Sequence, residues 1–164
     1  MKTIADWRAA LEAGDAEAAG ACLADDAVFI SPLTDKFRFR GRAQITDVLR
    51  SAVETFDDVR FHTEVGDGTA YALVADCRVG KQLVEEAQLL RLDDAGRIVE
   101  LTFFGRPLPA LTASMVGLGP RMLRRQGKPR LARLIGMAVR PLDVLTRLGE
   151  ERIVPLADPN KTPR

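Results

Sequence analysis

Residues 7–32 read WRAALEAGDAEAAGACLADDAVFISP, and this run decides the fold because it sets out helix, turn, helix, turn and strand in one short unit. Ile4, Trp7 and Leu11 recur at helical spacing. Gly14 supplies the backbone freedom a helix end needs, and Asp15 is a natural cap for the next helix. Ala18, Ala19, Cys22 and Leu23 give that second helix a small-residue face suited to close approach against a sheet. Asp25 and Asp26 then predict a turn, and Val28-Phe29-Ile30 a short strand bounded by Pro32.

Outward from this unit the helical period continues and then changes. Ile45, Val48, Leu49, Ala52, Val53 and Phe56 form one stripe in a segment opened by Gly41. Segments near 59–66, 70–79, 82–92 and 97–105 have strand length, and Gly66-Asp67-Gly68, Gly80-Lys81 and Asp93-Asp94-Ala95-Gly96 separate them as hairpin turns. Three helices followed by an antiparallel meander predict an α+β fold, in which a curved sheet wraps around the N-terminal helices and leaves a conical cavity. Strand alternation turns Tyr71, Leu73, Ala75 and Cys77 inward, with Val84, Glu86, Gln88, Leu90 and Leu92 from the next strand and Leu101 and Phe103 from the last. Glu86 and Gln88 are therefore the polar candidates in an otherwise apolar wall.

With 164 residues the chain reads as one core that buries about 70% of its unfolded surface and can hold a cavity without disulfides. Asp6, Arg8 and Glu12 interrupt the start, which excludes a signal peptide's apolar core, and no apolar run reaches spanning length. A cytoplasmic location is the expectation. Cys22 and Cys77 lack metal-ligand spacing and read as small buried hydrophobes in a reducing compartment. Charge is divided unevenly: residues 1–105 carry 12 Lys and Arg against 19 Asp and Glu, and residues 106–164 carry 12 against 4. The division suggests a core domain, 1–106, and a basic helical C-terminal extension, 107–164, packed on it. In the extension Leu131, Leu134, Ile135, Ala138, Leu142 and Leu145 recur at helical spacing among arginines. Such a helix can cover the acidic core as a lid, act as a strap in a homodimer, or lie on an anionic membrane. Covering the core is the favoured reading, because the complementary charge is already in the chain.

From Trp7 to Pro32, and again from about Tyr71 to Gly105, the chain resembles the ketosteroid isomerases and SnoaL-like polyketide cyclases of the nuclear transport factor two-like superfamily. The resemblance rests on ALEAGD (10–15), ADDA (24–27) and AGRIV (95–99). It implies a cone-shaped domain binding a small hydrophobic molecule, polycyclic or carbonyl-containing, in a deep apolar pocket, with no cofactor and no metal. Trp7, Phe29, Ser31, Tyr71, Leu73, Gln88, Leu101 and Phe103 are the expected lining residues. The isomerases use an aspartate base, with a tyrosine and a protonated aspartic acid as donors to the developing enolate. The matching positions hold Ser31, Trp7 and Gln88. A serine without a neighbouring base cannot take a proton from carbon at neutral pH, and loss of a positioned general base forfeits ~10²–10⁴ in rate. Steroid isomerisation is therefore not expected.

A SnoaL-like cyclase needs one acid-base group near its substrate's enol. Glu86 is the best carboxylate for that if burial raises its pKa, the alternative being a rim glutamate in water, and Gln88 could still donate to a ligand carbonyl. The superfamily's epoxide hydrolases need Arg and Asp together in the pocket, whereas Asp76 and Arg78 fall on the outer sheet face. His62 alternates with Arg60 and Glu64 on a polar face and reads as solvated. Arg38, Arg40 and Arg42 in RFRGR read as a solubilised sheet edge, so nucleic acid is not an expected partner. The superfamily pattern ends near Gly105, and the extension leaves a second reading open: a noncatalytic interaction module that meets a protein partner or a membrane through its basic helices.

Overall fold

The computed structural model describes residues 1–160. Helices α1 (Lys2–Glu12) and α2 (Ala16–Ala21) open the chain, and Asp15 caps α2 by accepting from the backbone N–H groups of Glu17 and Ala18. Strand β1 (Leu23–Ile30) follows, then the short β2 (Phe39–Arg40) and helix α3 (Arg42–Val53). The meander is β3 (Asp57–Gly66), β4 (Ala70–Val79), β5 (Gln82–Leu92) and β6 (Ile98–Arg106).

The six strands lie in the order β2-β1-β6-β5-β4-β3 in an open, curved sheet. Every neighbouring pair is antiparallel except β1 with β6, which run parallel. Asp25 and Asp26 do not form the expected turn. They lie within β1, exposed, where its register against β6 shifts between Leu23 and Val28, and Asp25 pairs with Arg42 at 3.1 Å. The small face of α2 meets α3 rather than the sheet: a Cβ on Gly20 would stand 2.4 Å from the Thr46 hydroxyl oxygen.

The core fills the concave side. Ile4, Trp7, Leu23, Ile45, Leu73, Ile98 and Leu101 are at most 1% exposed. The faces expected from alternation are observed, with Leu73, Ala75, Cys77, Val84, Gln88 and Leu90 buried. Burying a large aliphatic or aromatic side chain stabilises by about 1.5–3 kcal/mol, so this shared face fixes strand register strongly.

Helices α4 (Leu108–Arg125) and α5 (Pro129–Leu148) form the extension, followed by a π turn (Gly149–Ile153) and a 3₁₀ turn (Val154–Ala157). Helix α4 crosses the open end of the cone. Its Ala110 packs with Cys77 and Val84, and Gly117 allows close approach to α3, since a Cβ there would meet Thr55 Cγ2 at 2.5 Å. Arg121 and Arg125 reach Glu54 at the end of α3.

Helix α5 packs on α4 and presents an unexpected face to it. Ala132, Gly136, Val139, Asp143 and Thr146 turn inward, and the Thr112 hydroxyl meets Thr146 at 2.7 Å and Asp143 at 3.4 Å. Arg147 donates to Asp143 at 2.8 Å. The leucine stripe expected to cover the core points away from it, with Leu134 59% and Leu145 66% exposed. Phe104, on the outer face of β6, is also left exposed. Small residues and a buried hydroxyl-carboxylate cluster thus seat α5, and its large apolar residues face outward.

Candidate functional site

Three adjoining spaces run through the open end of the cone. The central one, of about 60 Å³, lies between α3, the concave side of β5 and β6, and α4; Ile45, Leu49, Phe56, Glu86, Phe103 and Leu111 are among its walls. An inner lobe of about 50 Å³ shares Leu49, Ala52, Phe56, Glu86 and Phe103 with it and ends on Gln88. An outer chamber of about 310 Å³ shares Phe29, Ser31, Leu33, Val48 and Leu118 with the central space. It lies between the β1–β2 loop and the α4–α5 pair, with Met115, Met122, Ile135 and Val139 on the helical side.

Glu86 stands where the central and inner spaces meet, and among the described residues it is the one carboxylate lining either. Its half-buried side chain extends from the inward face of β5. Gln88 and Trp7 fix it from behind. The Trp7 indole N–H donates to Gln88 Oε1 at 2.8 Å, and Gln88 Nε2 donates to Glu86 Oε1 at 2.6 Å. An indole offers only a donor, so the amide oxygen of Gln88 must face Trp7 and its NH₂ must face Glu86. Trp7 and Gln88 are both fully buried.

Two effects oppose one another at the Glu86 carboxyl. Removal from water favours the neutral acid, and the hydrogen bond from Gln88 favours the carboxylate. Burial wins, and the pKa is pushed up to about 7. The rim glutamate weighed as the alternative is not what the fold makes; the residue is part of an apolar wall. Cys77 lines the inner lobe, but burial first and the nearby Glu86 and Asp76 charges second push its thiol up to about 12, which leaves it no nucleophile at neutral pH.

The expected site residues divide into two groups. Phe29, Ser31, Leu101 and Phe103 line the central space with Glu86, and Gln88 closes the inner lobe. Trp7 and Leu73 are buried in the core behind the walls, and Tyr71 packs against that core from the far end of β4. Gln88 is held at both ends, its oxygen by Trp7 and one N–H by Glu86, which leaves the second N–H of its NH₂ for the role first considered, donation to a ligand carbonyl. Ser31 Oγ accepts from the Leu33 N–H at 3.2 Å, and among the described residues its own hydroxyl proton has no acceptor.

Sequence reasoning missed the helical half of the lining. The α3 stripe was visible, yet its period says only that one face is buried, and the same face serves core and cavity. The contribution of Leu111, Ser114 and Leu118 follows from the path of α4 across the cone, which periodicity does not encode.

On the outer sheet face His62, Asp76 and Glu85 bring ligand-capable atoms within 4.8 Å of one another. Glu85 is paired with Arg106, and His62 stands 3.9 Å from Asp76 with both exposed, as befits a solvated surface. Arg78 faces Asp58 at 3.8 Å on the same side. Cys22 and Cys77 are buried free thiols. Among the described residues no helix is long and apolar enough to cross a membrane.

Residues 4–101 match the SnoaL-like domain family. A steroid delta-isomerase from Pseudomonas aeruginosa is 30% identical, with 77% of this chain and 90% of that chain covered and a TM-score of 0.66. A conserved bacterial protein with a cystatin-like fold from Silicibacter pomeroyi is 28% identical over 75% of this chain and 84% of its own, with a TM-score of 0.67. SalBIII, an epoxide hydrolase/cyclase-like enzyme with a role in pyran ring formation in the polyether salinomycin, is 16% identical over 64% of this chain and 88% of its own. Its TM-score of 0.55 is a likeness of fold alone. Comparison with curated proteins gives no match.

Proposed function

The chain belongs to the SnoaL-like family, and from that membership we propose that it binds a small hydrophobic carbonyl compound beneath α4, where Glu86 transfers a proton in a cyclase- or isomerase-type reaction. The observation that carries this reading is the placement of Glu86. A carboxyl poised at about 7 can both give and take a proton at neutral pH, the property a general acid-base group needs. As a carboxylate it removes a proton α to the ligand carbonyl, and as the acid it returns that proton at another carbon or to an alkoxide formed on ring closure. Ser31, with its unspent hydroxyl proton, supports the negative charge developing on the carbonyl oxygen.

The chamber sizes support a ligand whose polar end enters first. The central space holds only a few atoms, and the outer chamber just reaches the ~300 Å³ lower end of ordinary small-molecule sites. A ring system would rest against Phe29, Phe39 and the two methionines, with its carbonyl directed to Ser31 and Glu86. Methionine walls adapt to ligand shape, which suits a site selective for apolarity.

Steroid isomerisation is not part of the proposal, because Ser31 stands at the position of the isomerase base and Trp7 and Gln88 are bonded to one another. Turnover of a β,γ-unsaturated ketosteroid should stay at background. Robust turnover abolished by Ser31→Ala would show that the serine is a base after all. The main test is mass spectrometry of small molecules that copurify with the protein, then titration of the recovered class into wild type and Glu86→Gln. Binding by both, with product formation and a pH profile centred near 7 only in wild type, is expected. Equal turnover by the variant would remove Glu86 from the mechanism, and failure of any apolar carbonyl compound to bind would remove the ligand assignment.

A further inference from the structure

The outward face of α5 is the largest feature the pocket does not use. From Leu131 to Leu148 this helix turns Leu131, Leu134, Met137, Leu142, Leu145 and Leu148 to solvent, each between 39% and 66% exposed. Ile153, Val154 and Leu156 continue the apolar surface beyond it, with Leu156 74% exposed. Contiguous patches of this kind on a folded chain mark a contact surface.

Charge identifies what the surface fits. Residues 124–156 contain eight Arg and Lys against three acidic residues, of which Asp143 is buried and paired with Arg147 while Glu150 and Glu151 lie in the π turn beyond the helix. The exposed surface of α5 therefore has no carboxylate. At helical spacing Arg133, Arg140 and Arg147 form one row along the edge of the apolar face, and Arg130 and Lys128 stand at its N-terminal end. A second copy of the chain would set one basic face against another. A single helix that is broad and convex, apolar at its crest and basic at its border matches an anionic bilayer, in which leucines enter the acyl boundary and arginines meet phosphates.

A second element on the other side of the outer chamber has the same make-up. The β1–β2 loop carries Phe37, 56% exposed, between Lys36 and Arg38. Phe37 and Ile135 line that one chamber from opposite sides.

We propose that α5, together with the Lys36-Phe37-Arg38 loop, docks the protein on anionic phospholipid membranes, with the outer chamber opening toward the lipid. The docking rests on this surface alone and not on the role given to Glu86. Only its corollary, that a hydrophobic ligand passes from bilayer to chamber, depends on the pocket reading.

The test uses the full-length protein with large unilamellar vesicles of phosphatidylcholine, alone or with 30% phosphatidylglycerol as the composition chosen for the assay (about a third anionic lipid). Flotation should recover the protein with the anionic vesicles and leave it behind with the neutral ones. Raising salt from 0.1 to 0.5 M should release it, since that shortens the Debye length from about 10 Å to about 4 Å. Leu134→Glu/Leu145→Glu should abolish binding, and Arg133→Glu/Arg140→Glu should weaken it at least about fivefold for each reversal. Both pairs are exposed and leave the α4 contact intact, so unchanged melting will confirm that the fold is retained. Absence of vesicle binding by wild type at low salt overturns the proposal. So does a wild-type dimer in sedimentation velocity that Leu134→Glu/Leu145→Glu converts to monomer without any vesicle binding, because the face then belongs to a second copy. If Glu86→Gln retains vesicle binding, docking and catalysis are shown to be separate, and failure of one leaves the other standing.

Discussion

Trp7 and Leu145 mark the two extremes of the molecule. Trp7, near the start of the chain, is fully buried, and its one polar atom is satisfied by Gln88. Leu145, near the other end, is a large apolar residue left 66% exposed. The N-terminal domain spends its apolar residues on its own interior, whereas α5 reaches the molecule through alanine, glycine and a few polar atoms. The difference teaches that helical periodicity shows which residues share a face but not which face turns inward.

Substitution at the two ends should separate them most sharply. Trp7→Ala should destabilise by about 3–5 kcal/mol, because it opens a large cavity and strands the Gln88 amide oxygen. Chemical denaturation checks this, and a loss below about 1 kcal/mol would mean that the Trp7–Gln88–Glu86 chain does not hold the inner wall rigid. Leu145→Ala should sit at the other end of the scale.

The next effect concerns pH. In the folded protein Glu86 holds its proton up to about 7, whereas in the unfolded chain it releases it near 4.5. Its stabilising contribution is therefore complete below the unfolded value and is lost as pH rises from about 4.5 through about 7. The loss is on the order of 3 kcal/mol. Urea melts of wild type and Glu86→Gln at pH 5 and pH 8 should show the variant gaining on wild type at the higher pH; parallel behaviour would place Glu86 in water.

A smaller effect is expected where the regions join. Gly117→Val brings a side chain into Thr55 and should cost about 1–3 kcal/mol as α4 lifts from α3. Its melt should lose cooperativity if α4 and the cone then unfold separately. Smallest of all, Leu145→Ala should change stability by no more than about 0.5 kcal/mol, since little of that side chain is packed. A loss of several kcal/mol there would mean that α5 is covered in solution.

What could be read from residues alone follows the same division. The strands from Asp57 to Arg106 were legible because alternation and glycine turns are local, and the inward set that includes Glu86 followed from them. The parallel pairing of β1 with β6 was not, because nothing within either strand selects its neighbour. Asp25-Asp26 read as a turn by composition, yet a strand irregularity accommodates both side chains in water. At the site, Ser31, Phe29, Leu101 and Phe103 were found from strand pattern and resemblance. The hydrogen-bonded order of Trp7, Gln88 and Glu86 depends on an 81-residue separation that only the packing of α1 on the sheet spans.

Helix α4 has a consequence for rates. It forms one wall of the central space, whose volume of about 60 Å³ is smaller than any ring system. A guest that carries a ring down to Glu86, instead of leaving it in the outer chamber, must therefore wait for α4 to shift, and its observed association rate should rise with guest concentration only until it meets the frequency of that opening. Beyond that point added guest gains nothing, and departure is throttled by the same motion, so even a modest equilibrium affinity is accompanied by a long residence time.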